Sequence, residues 1–258
     1  MALLKSVPAE RLNILIYDTR EEAGRRAASD GAKVLRELLS DPDRIVNVIF
    51  AAAPSQNDTL DALASEPGID WTRVRGFHMD EYVGFEKSRK ESFGFYLNGH
   101  IFSRLPFGEV HYLRGDAEDP AEECRRYAGL LNDYPADIVF LGIGENAHIA
   151  FNDPWVADFH DPETVKLVPL DETCRTQQVH DGCFPTLEDV PTHAFTLTVP
   201  ALVRASHLFC TVPCATKAEA VEKTAFAPAG EDAPATVMRS HPHAVMYCDR
   251  ESGRLLLS

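Results

Sequence analysis

DIVFLGIGENAHIAFNDP, residues 137–154, is the stretch that decides the fold. Asp137–Leu141 is an almost unbroken apolar run that passes straight into Gly142, Ile143 and Gly144. A strand without polar alternation is buried on both faces, as the strands of parallel sheets are. Two glycines directly after it allow a tight turn and close approach of backbone to a ligand. His148 stands just past the turn, with Glu145, Asn146, Asn152 and Asp153 near it in sequence. An imidazole titrates near neutrality and can shuttle a proton, and a neighbouring carboxylate can set its tautomer. The same run also fits a glycine turn closed by a capping histidine.

Working outward, short β-branched runs alternate with longer amphipathic stretches. Strands are expected at Asn13–Tyr17, Val46–Ala52, Arg73–His78, Ala194–Leu197, Leu208–Val212 and Ala244–Cys248. Helical periodicity covers Arg20–Ser40, Phe93–Phe102 and Pro120–Leu131, and a further helix begins near Lys217. Pro54–Asp58 reads as a turn leading into a helix. This alternation predicts an α/β protein, a mostly parallel sheet covered by helices on both faces. Ligands in such sheets bind beyond the carboxyl ends of the strands, which makes the turns at Asp80 and Gly142 the candidate sites.

The chain has 258 residues, enough for one large α/β domain, and no repeat or low-complexity linker divides it. Its net charge of −15 argues against nucleic acid or an anionic membrane surface as partner. It also makes every basic residue near a pocket informative, because an anionic ligand needs locally positive surroundings. There is no apolar run long enough to span a bilayer and no signal-peptide pattern at the N-terminus, so a cytoplasmic location is expected. The six cysteines are scattered, Cys210 and Cys214 do not have zinc spacing, and reduced thiols without a metal site are expected. The glycine turn at Gly142 lacks the third glycine of a dinucleotide loop, so no nucleotide cofactor is expected.

FHMDEYVG, residues 77–84, sets two adjacent carboxylates, Asp80 and Glu81, at the end of a strand. Neighbours on an extended chain point oppositely, so one of the two faces a cleft beyond the strand. A carboxylate there can take a proton from carbon beside a carbonyl, and acids are equally at home at a helix N-terminus.

Together the two segments resemble the glucosamine-6-phosphate deaminase family. FHMDEYVG is similar to its MDEYVG segment and LGIGENAHIAFNDP to its GxGxDGHIAFNEP segment. The order, the spacing, and the later TKAEAV and SHPHAVMYCD stretches agree, so the resemblance covers most of the chain. The related 6-phosphogluconolactonases share the glycine–histidine skeleton and diverge after the histidine. The resemblance implies a Rossmann-like three-layer fold, no cofactor, and conversion of an amino-sugar phosphate to a ketose phosphate and ammonia. Homo-oligomers are frequent in the family.

By that resemblance His148 is the ring-opening histidine, Asp80 the carboxylate that moves the C2 proton, and Asp153 stands for the family glutamate, shorter by one methylene. Asn146 replaces the family aspartate two residues before the histidine, and Ala147 replaces a glycine. Lys217 corresponds to the lysine that contacts the substrate phosphate. Ser55, Gly142, Gly144 and Glu81 complete the expected substrate-binding set. The family's phosphate loop, a Thr-Gly-Gly-Thr type run after proline, reads Pro54-Ser55-Gln56-Asn57-Asp58 here. Loss of both glycines restricts approach of backbone amides to a phosphate. Asp58 would repel a phosphate unless it is turned away or caps a helix. The family's phosphate arginine has no counterpart in QQVHDGCF, leaving Arg175, His180 or Arg239 as candidates to rebuild the site with Lys217. A deaminase is therefore expected. The alternatives are a lactonase using His148 to activate water and a non-catalytic sugar-phosphate sensor.

Overall fold

The structure is a computed structural model that describes residues 2–180, 182 and 184–257. The chain opens with an antiparallel hairpin of β1 (Leu3–Ala9) and β2 (Leu12–Tyr17), followed by α1 (Arg20–Leu38). Next come β3 (Val46–Phe50), a 3-10 turn at Pro54–Gln56, and α2 (Asn57–Ala64). β4 (Val74–His78) leads through Met79 into the short β5 (Asp80–Tyr82). It is followed by α3 (Phe93–Leu97), a π turn at Asn98–Phe102, β6 (Glu109–Val110) and α4 (Pro120–Asp133). β7 (Ile138–Leu141) precedes the glycine turn, with β8 (Val165–Pro169), α5 (Glu172–His180), β9 (His193–Leu197) and α6 (Val199–Val203) beyond it. β10 (His207–Val212), a 3-10 turn at Ala215–Lys217, α7 (Ala218–Phe226), β11 (Ala244–Cys248) and α8 (Arg254–Leu257) complete the order.

The large sheet has the order β1-β2-β11-β10-β7-β3-β4-β6 and is parallel throughout except for the β1–β2 hairpin. Alternation along β7 divides the core in two. Ile138 and Phe140 pack with Leu35 of α1 and Leu60 and Leu63 of α2. Val139 and Leu141 pack with Tyr127 and Leu131 of α4, Leu202 of α6 and Val221 of α7. Each face therefore carries its own helical layer, and the apolar run at 138–141 is buried on both sides. Among the described residues no helix is long and apolar enough to cross a membrane.

Helix α1 begins where Thr19 Oγ1 accepts the N–H of Glu22, and its buried stripe is mostly Ala and Gly. Small side chains let it approach closely. A methyl added at Gly24 would lie 2.6 Å from Asp58 Cβ, so the first turns of α1 and α2 abut. Arg20, four residues before Gly24, shares that face and lies over the start of α2.

The expected elements are present with ends shifted by a few residues, but one is differently employed. The strand expected at Ala194–Leu197 is β9, and it belongs to a separate antiparallel sheet ordered β5-β9-β8 rather than to the parallel sheet. Its buried side chains declare a strand without declaring its partners. This small sheet pairs Asp80 with Thr196 and so holds one end of the candidate site. Cys124, Cys210, Cys214 and Cys248 are free thiols; Cys183 and the side chain of Cys174 lie outside the described residues.

Candidate active site

The carboxyl ends of β2, β3, β4, β7 and β10 surround one cleft of ≈ 180 Å³, room for a single small ligand. They contribute Arg20, Ser55 and Gln56, Asp80, Gly142 with Gly144 and His148, and Cys214 with Lys217, respectively. This is the crevice that the topology of an open α/β sheet creates.

Asp80 is 9% exposed and lines the cleft. Burial, with a smaller contribution from the negative charge of Glu81, pushes its carboxyl well above the usual aspartate range. Its backbone is fixed by His78, whose Nδ1 lies 2.8 Å from the Asp80 carbonyl oxygen. The Nε2 of the same ring accepts the N–H of Leu113 at 3.0 Å, which assigns the proton to Nδ1. Burial pushes the His78 imidazole down to about 4, so it is neutral and serves as a spacer rather than a proton carrier. The Tyr127 hydroxyl accepts the His78 N–H at 3.0 Å and donates to the His78 carbonyl at 2.9 Å.

Glu81 points the other way. Its carboxylate accepts from Ser92 Oγ at 2.7 Å and from the backbone N–H groups of Tyr82, Phe93 and Gly94. Burial raises its carboxyl, and these donors oppose the rise. It is committed to the start of α3 and is not among the residues lining the cleft, contrary to its expected place in substrate binding.

The glycine turn carries His148 over the cleft. A side chain at Gly144 would collide with the His148 ring, and one at Gly142 would lie 2.7 Å from Gln56 Nε2. The turn closes through Gly144 N–H to His148 O at 2.9 Å, and Ala147 adopts a left-handed φ of +67°. Asn146 Oδ1 accepts the His148 backbone N–H at 3.1 Å, while its Nδ2 donates to Asp153 Oδ1 at 2.8 Å. The same Asp153 oxygen lies 3.0 Å from His148 Nδ1. The contact does not count as a hydrogen bond, and Nδ1 has no hydrogen-bond partner. The contact is an electrostatic one at ion-pair distance. Asn146 thus touches the main chain of His148 and not its ring. Asn152 Nδ2 donates to Leu197 O at 2.8 Å, and Phe151 N–H donates to Thr196 Oγ1 at 3.1 Å, which fastens the loop to β9.

Ser55 and Gln56 occupy the opposite wall. Gln56 is 1% exposed, and its Nε2 donates to Ser55 Oγ and to Thr211 O, each at 3.1 Å. Its Oε1 is buried and has no hydrogen-bond partner. Lys217, 8% exposed, ends the 3-10 turn ahead of α7 and lines the cleft.

Three basic candidates are elsewhere. Arg175 is spent on backbone carbonyls, donating to Leu187 O at 2.5 Å and Val190 O at 3.0 Å. Arg239 donates to Ala227 O at 2.5 Å and pairs with Glu10. His180 is exposed and does not line the cleft. Two residues were missed. Arg20 reaches the cleft from the first turn of α1, a place that the carboxyl-end rule marks once β2 is recognised. Gln178 reaches it from α5, its Oε1 accepting the Tyr82 hydroxyl at 2.7 Å.

Residues 18–247 match the family model described as glucosamine-6-phosphate isomerases/6-phosphogluconolactonase. A glucosamine-6-phosphate deaminase from Bacillus cereus (strain G9842) is 34% identical over 241 residues, covering 93% of this chain and 88% of that protein. The solved structure of a monomeric glucosamine-6-phosphate deaminase superposes with a TM-score of 0.85 at 27% identity, covering 94% of this chain and 99% of that one. A 6-phosphogluconolactonase from Thermotoga maritima shares the fold, with a TM-score of 0.74 at 18% identity over 92% of this chain and 98% of that one. With its strand-end cleft and its match along nearly the whole sequence, this chain belongs to the glucosamine-6-phosphate isomerase/6-phosphogluconolactonase family.

Proposed function

We propose that this protein converts glucosamine 6-phosphate and water to fructose 6-phosphate and ammonia. The observation that carries the reading is that a buried carboxylate, Asp80, and an imidazole, His148, open on the same small cleft. The chemistry needs both. Opening the pyranose requires a proton to leave the anomeric hydroxyl and another to reach the ring oxygen, the work of a group that titrates near neutrality. With Nδ1 turned to Asp153, His148 presents Nε2 as the acceptor and then returns the proton. Asp153 and Asn146 hold it in that role.

The open chain carries an aldehyde at C1 and an amine at C2. Asp80 removes the C2 proton and delivers it to C1, while a proton passes from the amine to O1, so that C1 becomes a hydroxymethyl carbon. The amine-bearing carbon becomes an imine, which adds water and expels ammonia as the ketone forms. A carboxyl raised by burial is a stronger base than a solvated one, and this suits it to a carbon acid. The reading sets the protein in the cytoplasm, where phosphorylated sugars are handled. Coupled detection of ammonia from glucosamine 6-phosphate, run beside 6-phosphogluconolactone hydrolysis, is the test. Ammonia release supports the reading, and lactone hydrolysis without ammonia sinks it.

A further inference from the structure

The turn at Pro54–Gln56 offers an anion few backbone donors. Pro54 has no N–H, the Gln56 N–H is bonded to Ala53 O at 2.9 Å, and the Asn57 N–H is turned to Pro54 O. The Gln56 side chain is itself packed into the wall of the cleft. The Ser55 N–H is the one backbone donor of the turn not accounted for in this way, so a phosphate bound at this end depends mainly on side chains. Among the described residues, Arg20 is the one arginine that lines the cleft, and Lys217 is there with it.

The guanidinium of Arg20 is clamped along one edge. Nε donates to Asp58 Oδ2 at 2.7 Å and Nη2 to Pro54 O at 3.1 Å, while Nη1 meets the Cys214 sulfur at 3.9 Å. A guanidinium carries five N–H donors, and a thiol sulfur is a weak acceptor. The clamp thus fixes the plane of the group yet leaves part of its fork for a stronger acceptor. Planar forks match phosphate oxygens in pairs, and a fork already held in place loses little freedom on binding. The close approach of Gly24 to Asp58 sets this geometry by bringing the two helix starts together.

We propose that Arg20 is the specificity-determining residue for the phosphate of the substrate, binding it together with Lys217 in place of loop amides. The assignment rests on the sugar-phosphate reading above. Asp58 is its positioning partner: it orients the guanidinium at the cost of part of its charge.

The test measures binding of glucitol 6-phosphate, an open-chain analogue that cannot react, and of inorganic phosphate. It also measures steady-state kinetics on glucosamine 6-phosphate and glucosamine. In Arg20→Gln we expect affinity for glucitol 6-phosphate to fall roughly 10- to 100-fold, the range of a lost charge-assisted hydrogen bond. The KM for glucosamine 6-phosphate should rise by a similar factor with kcat little changed. The KM for glucosamine, which has no phosphate to lose, should rise far less than that for glucosamine 6-phosphate. Arg20→Lys should recover part of the affinity.

Asp58→Asn separates recognition from structure. Asn at this position keeps an oxygen acceptor for Arg20 Nε while removing the competing charge, so if Arg20 binds the anion phosphate affinity stays equal or rises. If the pair merely joins α1 to α2, both variants weaken binding alike, which overturns the proposal, as does an Arg20→Gln protein that binds glucitol 6-phosphate like the wild type. Should the wild type release no ammonia while Arg20→Gln still loses affinity for the analogue, the reaction fails and the assignment of Arg20 stands. Normal turnover with an unchanged KM in Arg20→Gln is the reverse case.

Discussion

Oδ1 of Asp153 lies 3.0 Å from Nδ1 of His148. That oxygen also takes a hydrogen bond from Asn146 Nδ2 at 2.8 Å, which fixes the carboxylate against rotation. The chain thus uses one buried carboxylate and one amide where a second carboxylate would crowd the first. A like charge beside Asp153 would raise one of the two carboxyls and spoil the pairing.

Replacement of Asp153 by Asn should therefore slow ammonia release by about 10- to 100-fold, the usual effect of losing a partner that orients a functional histidine. The loss should fall on kcat more than on KM, because Asp153 does not line the cleft. Steady-state kinetics check this; an unchanged kcat would remove Asp153 from the mechanism.

Asp80→Asn should reduce turnover by about 10²- to 10⁴-fold, the range for loss of a general base, while the analogue glucitol 6-phosphate still binds. The same variant should be more heat-stable at neutral pH. A carboxyl whose folded pKa is raised favours the folded state below its unfolded value. That contribution is lost as pH rises through the folded pKa. The variant has no such loss, so the melting-temperature gap between variant and wild type should widen as pH increases. A wild type that is the more stable of the two at pH 8 would contradict the burial of this charge.

His78 gives the opposite slope. Its folded pKa of about 4 lies below the ordinary histidine value of about 6.5, so between those values the unfolded chain binds more protons. Stability should fall as pH drops through that window, by up to about 3 kcal/mol from this residue. Denaturant midpoints at pH 7 and pH 4.5 for wild type and His78→Asn read it directly. The variant should show the smaller acid loss.

Glycine substitutions in the site loop should act in opposite directions. Ala147→Gly relieves a left-handed φ of +67° and should stabilise by up to about 1 kcal/mol with activity retained. Gly144→Ala drives a methyl into the His148 ring and should cost most of the turnover with the fold intact. Thermal melts and ammonia assays on both variants decide it. An active Gly144→Ala protein would show that the ring is not held where the turn puts it.

The strand at Ile138–Leu141, the glycine turn after it and the carboxylate pair at a strand end were legible because burial on both faces and loop chemistry are local properties of the chain. The two-layered core and the crevice beyond the strand ends follow from the same patterns. What the tertiary structure decided was direction and partnership. Periodicity marks β9 as a strand but cannot say that it leaves the parallel sheet to pair with Asp80–Tyr82. Adjacent carboxylates look alike in sequence, yet Glu81 finds the N–H groups of Phe93 and Gly94 while Asp80 is left to the cleft. The arginines diverge for the same reason. Arg175 meets free carbonyls close to its own helix, whereas Arg20 is carried to the cleft by contact between α1 and α2. A long side chain is oriented by whichever acceptor the fold brings near, and that acceptor is set by contacts dozens of residues away in the chain.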